Sequence, residues 1–163
     1  MHSRIGFCLK HLLFAVPLLT PITSYAQTQA ELRDAIRNAL PGEVTTGEMD
    51  SAIKAGVWDS NRRAVAISII RASRPTILLV ILKLASGRYK AIDISETEGA
   101  NLGVLGIARW DAYDRVETTP VKWLPRNDGY FQVVVRTKAS KNGKQYSMED
   151  SRVITSDGTP IYR

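Results

Sequence analysis

The residues best suited to recognition chemistry lie between positions 109 and 130. Trp110, Tyr113, Trp123 and Tyr130 alternate there with Arg109, Asp111, Arg115, Lys122 and Arg126. Flat aromatic faces offer contact area at low conformational cost, and neighbouring charged groups orient a partner through hydrogen bonds. Glycan sites and protein–protein hot spots both use this combination. The competing reading is that Trp and Tyr in a long connection pin it to the sheet beneath. The candidate partner- or ligand-binding residues are therefore Trp110, Tyr113, Trp123, Arg109 and Arg126.

Two other groupings carry less. Asp93, Glu96 and Glu98 gather three carboxylates at the end of an expected strand. A glycan hydrolase needs one carboxyl held protonated beside one that stays ionised, and a calcium loop needs several oxygen ligands in a tight turn. Three acids in six residues fit neither pattern specifically, and solvated or ion-paired surface acids account for them. Asp111, Asp114 and Glu117 have Arg109 and Arg115 nearby to pair with. Gly99, Gly103 and Gly106 match neither the dinucleotide nor the P-loop spacing, and no Lys-Ser/Thr follows them.

The amino terminus narrows the available chemistry further. Residues 1–11 carry Arg4 and Lys10 without an acid, residues 12–19 form an apolar run, and Ser24-Tyr25-Ala26 puts small residues where a signal peptidase reads. Pro17 and Pro21 interrupt the run, which is short for a membrane anchor. These features predict a secretory signal peptide over 1–26 and a mature domain over 27–163, exported to the periplasm or beyond, with no transmembrane span after cleavage. Cys8, His2 and His11 are the sequence's only cysteine and histidines, and all leave with the leader. The mature chain then has no thiolate nucleophile, no histidine base and no His/Cys metal site. No cofactor or metal is expected, and enzymatic activity is disfavoured. Losing Arg4 and Lys10 leaves 20 basic residues against 16 acidic ones, a net charge of +4 instead of +6. Basic residues are interspersed with acids, and Arg62-Arg63 is the single adjacent basic pair, so nucleic acid is not an expected partner.

The elements that must hold the candidate residues are legible from periodicity. Thr28 to Glu31 has capping-box spacing, and Leu32, Ala35, Ile36, Ala39 and Leu40 recur on one helical face before Pro41-Gly42. Thr45 to Glu48 repeats the cap ahead of Met49, Ala52 and Ile53, predicting a short second helix. From about residue 63 the period becomes two. Val65, Ile67 and Ile69 share one strand face, while Ala64, Ala66 and Ser68 form a small-residue face expected to receive a helix. The run Ile77 to Leu84 is apolar throughout, as in a strand covered on both faces, and Ser86-Gly87 returns the chain into Tyr89–Ile94. Short connections make these three strands an antiparallel meander. The stretch from Ser95 to Asp128 is irregular, with short strands or a helical turn expected inside it. Alternation resumes at Tyr130–Arg136, and Asn142-Gly143 is a strong hairpin signal.

The predicted fold is α+β, with an N-terminal amphipathic helix and a short second helix packed on one antiparallel sheet of five to seven strands. A β-sandwich with an N-terminal helical appendage is the alternative. The expected function is that of a small periplasmic binding protein without enzymatic activity, its partner an envelope protein bound as by an inhibitor, immunity protein or assembly factor. A cell-wall glycan-binding module or carboxylate-dependent glycan hydrolase, and a structural envelope protein, are the alternatives. Oligomeric state is not encoded in any of these features.

Overall fold

A computed structural model describes residues 20–71, 74–95 and 115–161 of the chain. Among them are two helices, α1 (Thr20–Ala39) and α2 (Thr46–Lys54), and eight strands. The strands are β1 (Val57–Trp58), β2 (Ala64–Arg71), β3 (Arg74–Lys83), β4 (Tyr89–Asp93), β5 (Arg115–Leu124), β6 (Phe131–Lys141), β7 (Lys144–Ile154) and β8 (Pro160–Ile161). They form two antiparallel sheets of four, ordered β1-β2-β3-β4 and β5-β6-β7-β8, so the protein is mixed α+β and mostly sheet. The expectation of one sheet with five to seven strands is thereby corrected. The physical reason lies in β2 and β3, which are apolar on both faces and need a covering layer on each.

The helices supply one layer. Leu32, Ala35, Ile36 and Leu40 of the α1 region, with Met49, Ala52 and Ile53 of α2, bury against Val65, Ile67, Ile69, Leu79 and Ile81 of the first sheet. The second sheet supplies the other. Val133, Val135 and Ile154 share a core with Ala64, Ala66, Leu78, Val80, Leu82 and Ile92, and Trp123 and Phe131 pack at its margin. The helices thus sit on the large-residue face of β2, and the small-residue face receives the second sheet, the reverse of the sequence expectation. Two stacked sheets approach closely only where some side chains are short, and Ala64 and Ala66 provide that room.

Local signals position these layers. Thr45 caps α2 as a full capping box: the Glu48 amide donates to its Oγ1 at 3.3 Å, and its own amide donates to Glu48 Oε2 at 2.8 Å. Those bonds hold the Glu48 carboxyl below its ordinary value. Arg33 Nε donates to Asp50 Oδ1 at 2.5 Å and ties the helices together. Gly42, Gly87, Gly129 and Gly158 adopt positive φ in their turns, and Asn142-Gly143 closes the β6–β7 hairpin with φ of 49° and 73°. The first helix differs from expectation at its start. It begins at Thr20 and passes without a break through the expected cleavage point after Ala26, placing Thr28 to Glu31 in its interior. Ala26 and Gln27 are both exposed.

The strand β5 is the element that periodicity missed. Pro120 interrupts its pattern, and the register with β6 shifts between Pro120 and Lys122, which a bulge absorbs. Pro is tolerated there because β5 is an edge strand. That edge meets the first sheet through polar links. Ser68 Oγ donates to the Thr118 carbonyl at 2.6 Å, Thr76 Oγ1 to the Val116 carbonyl at 3.4 Å, and Trp123 Nε1 to the Val57 carbonyl at 2.8 Å. At the opposite side Lys90 Nζ donates to the Asp157 carbonyl at 3.1 Å.

Two glycines separate the packing constraint from helix propensity. A Cβ on Gly56 would stand 2.8 Å from Val65 Cγ2 and 2.9 Å from Ile67 Cγ2, both inside the helix-facing core, whereas one on Gly47 in α2 meets nothing within 4 Å. Gly56→Ala is expected to lower the unfolding free energy by about 1–3 kcal/mol through overpacking. Gly47→Ala should raise it by up to about 1 kcal/mol by restricting the unfolded chain. Urea midpoints at constant m-value measure both.

Candidate functional site

Trp123 and Arg126 come together, and the rest of their surroundings is built by the first sheet. They line a cleft of about 540 Å³ with Trp58, Arg63, Tyr130 and Phe131. The β1–β2 connection forms one wall. Asp59 shapes it: its Oδ1 accepts from the amides of Arg63 at 2.6 Å and Ala64 at 2.7 Å, and its Oδ2 from that of Asn61 at 3.3 Å. Arg62 takes a φ of 53° in this tight turn. The β5–β6 connection and the adjoining strand ends form the other wall.

Within the cleft the rings and cations have separate duties. Trp123 is half-buried, bonded to the Val57 carbonyl and set edge-on to Phe131 with centroids 6.1 Å apart at 75°. It therefore clamps β5 to β1, and contributes its ring face as a wall more than as a free contact. Arg63 places its guanidinium 5.4 Å from the Phe131 centroid. Arg126 lies 5.7 Å from the Tyr130 centroid, grips Asp128 through Nε at 2.9 and 3.1 Å and through Nη2, and donates to Gln132 Oε1 at 3.0 Å. Gln132 in turn donates to Ser151 Oγ at 3.0 Å. Tyr130 is the outward ring: with Ile70 it makes up the large apolar side chains left exposed among the described residues, at 40% and 46%.

The other candidates divide cleanly. Arg109, Trp110 and Tyr113 lie outside the described residues, as do Glu96, Glu98, Asp111, Asp114 and the three loop glycines. Asp93 is committed to its own turn: Oδ1 accepts from the Ser95 amide at 2.8 Å and the Ser95 hydroxyl at 2.5 Å, and Ser95 Oγ accepts from the Leu78 amide at 2.8 Å. Glu117 pairs with Arg115. Among the described residues no three His, Cys, Asp or Glu side chains gather to hold a metal ion, and no helix is long and apolar enough to cross a membrane. Sequence reasoning missed Trp58, Arg63 and Phe131 as companions of Arg126. The available signal was the Trp58 ring four residues ahead of the adjacent pair Arg62-Arg63.

Comparison of the chain with protein-family models, with curated protein sequences and with solved structures returned no match.

The Arg126 hydrogen bonds, with the Tyr130 amide, hold the Asp128 carboxyl at about 2 against an ordinary 3.8. A depressed folded-state value means the pair favours the folded turn above the ordinary carboxyl range, and that support is lost as pH falls through about 2. Carboxyl-detected NMR titration should give a midpoint near 2 for Asp128, returning toward 3.8 in Arg126→Gln. A midpoint unmoved by that substitution would assign the depression to the turn amides instead.

Proposed function

We propose that this chain is an exported binding protein that engages a protein partner of the cell envelope through the cleft around Arg126 and Tyr130. One observation carries the reading: an exposed Tyr130 and an Arg126 held by hydrogen bonds line a cavity together with Trp58, Trp123 and Phe131. Hot spots pair an aromatic or arginine anchor with a surrounding wall that excludes water, and Arg126, held by Asp128 and Gln132, is already oriented before a partner arrives. Export rests on the leader-like residues 1–26 and the small residues at Ser24 and Ala26. After cleavage Gln27 becomes the first residue, and Thr28 moves from a helix interior to a capping position.

A glycan-binding reading shares the same cleft, because sugar rings stack on Trp and Tyr faces and take hydrogen bonds from arginine. The hydrolase version loses ground at Asp93, whose carboxylate is engaged by Ser95.

The test uses mature protein starting at Gln27, its terminus checked by sequencing of the exported form. Retention is measured on envelope protein extract and on purified sacculi in parallel. Arg126→Ala and Tyr130→Ala are expected to reduce capture of a stoichiometric envelope protein about tenfold or more, with circular-dichroism melting preserved. Undiminished capture by folded variants would remove the cleft from the account. Retention on sacculi alone would select the glycan reading.

A further inference from the structure

The structure assigns a second binding site, for a small organic anion carrying a flat or apolar body, in the cleft between the helices and the β1–β2 turn. This cleft encloses about 690 Å³ and adjoins the first cleft, sharing Trp58, Asn61 and Arg63 with it, but its assignment does not rest on the proposed partner-binding role. Its size falls in the range of small-molecule pockets.

The lining divides by chemistry. Leu32, Ile53, Gly56 and the Trp58 ring give an apolar floor. Four cations, Lys54, Arg62, Arg63 and Lys83, surround it, and no carboxylate is part of the lining. Tyr89 and the amides of Gln29 and Asn61 add polar groups. The Arg62 guanidinium lies 5.0 Å from the Trp58 centroid, and the Lys83 ammonium 5.8 Å from that of Tyr89. Glu31 on α1 is the acid whose charge is felt at Tyr89, where burial is the main influence and raises the phenol.

Arg62 and Arg63 differ from seven of the other described arginines, while Arg88 shares their lack of a carboxylate partner among the described residues. Arg33, Arg37, Arg71, Arg115, Arg126, Arg136 and Arg152 each face a carboxylate of the described chain. Arg62, Arg63, Lys54 and Lys83 have no such partner among the described residues, and three of them rest on ring faces instead: Arg62 on Trp58, Arg63 on Phe131 and Lys83 on Tyr89. Lys54, Arg62, Arg63 and Lys83 are all exposed, and gathering them around one hollow makes its potential positive, which favours a bound anion. A guanidinium stacked on a ring keeps its donors free and aimed, which suits carboxylate or phosphate oxygens. The apolar floor next to them requires that the anion carry a ring or short hydrocarbon body. A bare inorganic ion would leave that floor wet.

The probes are benzoate, phenyl phosphate, inorganic phosphate and the neutral benzyl alcohol, titrated into the mature protein while the Trp58 indole N–H is followed by NMR. Benzoate or phenyl phosphate is expected to shift Trp58 saturably with Kd of about 1 mM or tighter, and inorganic phosphate and benzyl alcohol to bind about tenfold more weakly. The better of the two aromatic anions identifies the acid group. Arg62→Gln and Lys83→Gln together should weaken it about tenfold or more, while Lys144→Gln at the distant hairpin leaves it unchanged. All variants are checked for native melting. Equal response to benzyl alcohol, equal affinity in the folded double variant, or no shift at about 10 mM probe would each overturn the assignment.

Discussion

The structure depends on one requirement, that both faces of the first sheet be removed from water. Leu78, Val80 and Leu82 of β3 bury toward the second sheet while Leu79 and Ile81 bury toward the helices, and all five are fully inaccessible. Each such side chain exposed would cost roughly 1.5–3 kcal/mol, so a layer lost from either face undoes the sheet. The helices and the β5–β8 sheet therefore act as two lids on one core. Their own outward faces are polar, as Arg136 and Glu149 show by pairing across β6 and β7.

The same requirement explains where the clefts lie. The two-residue strand β1 is the short edge of the central sheet. Trp58 and the turn that follows it stand between the layers there. One cleft opens toward the helices and the other toward β5 and β6, with Trp58, Asn61 and Arg63 common to both. Trp123 closes the joint by donating to the Val57 carbonyl, so the residue that fastens the layers also walls the outer cleft. The clefts are a by-product of ending a doubly covered sheet.

How much of this could be read in the sequence depended on how local the signal was. The Thr45–Glu48 cap, the Gly87 and Asn142-Gly143 turns, the amphipathic face of α1 and the β2–β3–β4 meander are each set by neighbours a few residues apart, and each is present. The grouping of strands into two sheets is not local. It follows from the total apolar area of β2 and β3, and from the long stretch between β4 and β5 that frees the later strands to pair among themselves. β5 was obscured because Pro120 breaks the alternation that the bulge restores in space. The choice of β2 face failed for a related reason: alanines admit a closely stacked sheet as readily as a helix.

The candidate site was legible as residue types and not as a constellation. Trp123 and Arg126 were recognisable from their spacing, but Trp58 and Arg63 lie sixty or more positions from them and join only through the inter-sheet contact. Trp123 also proved to be a clamp, as aromatic residues beside a sheet commonly are.

Native-state amide hydrogen exchange on the protein tests the doubly covered sheet most directly. The account predicts that amides of β2 and β3 from Val65 to Ile69 and Leu78 to Leu82 exchange slowest, with the same opening free energy as Val133 and Val135 in β6, because one core joins them. If β6 and β7 instead exchange through a separate, lower-energy opening that leaves β2 and β3 protected, the second sheet is not a lid the first one needs, and the account fails.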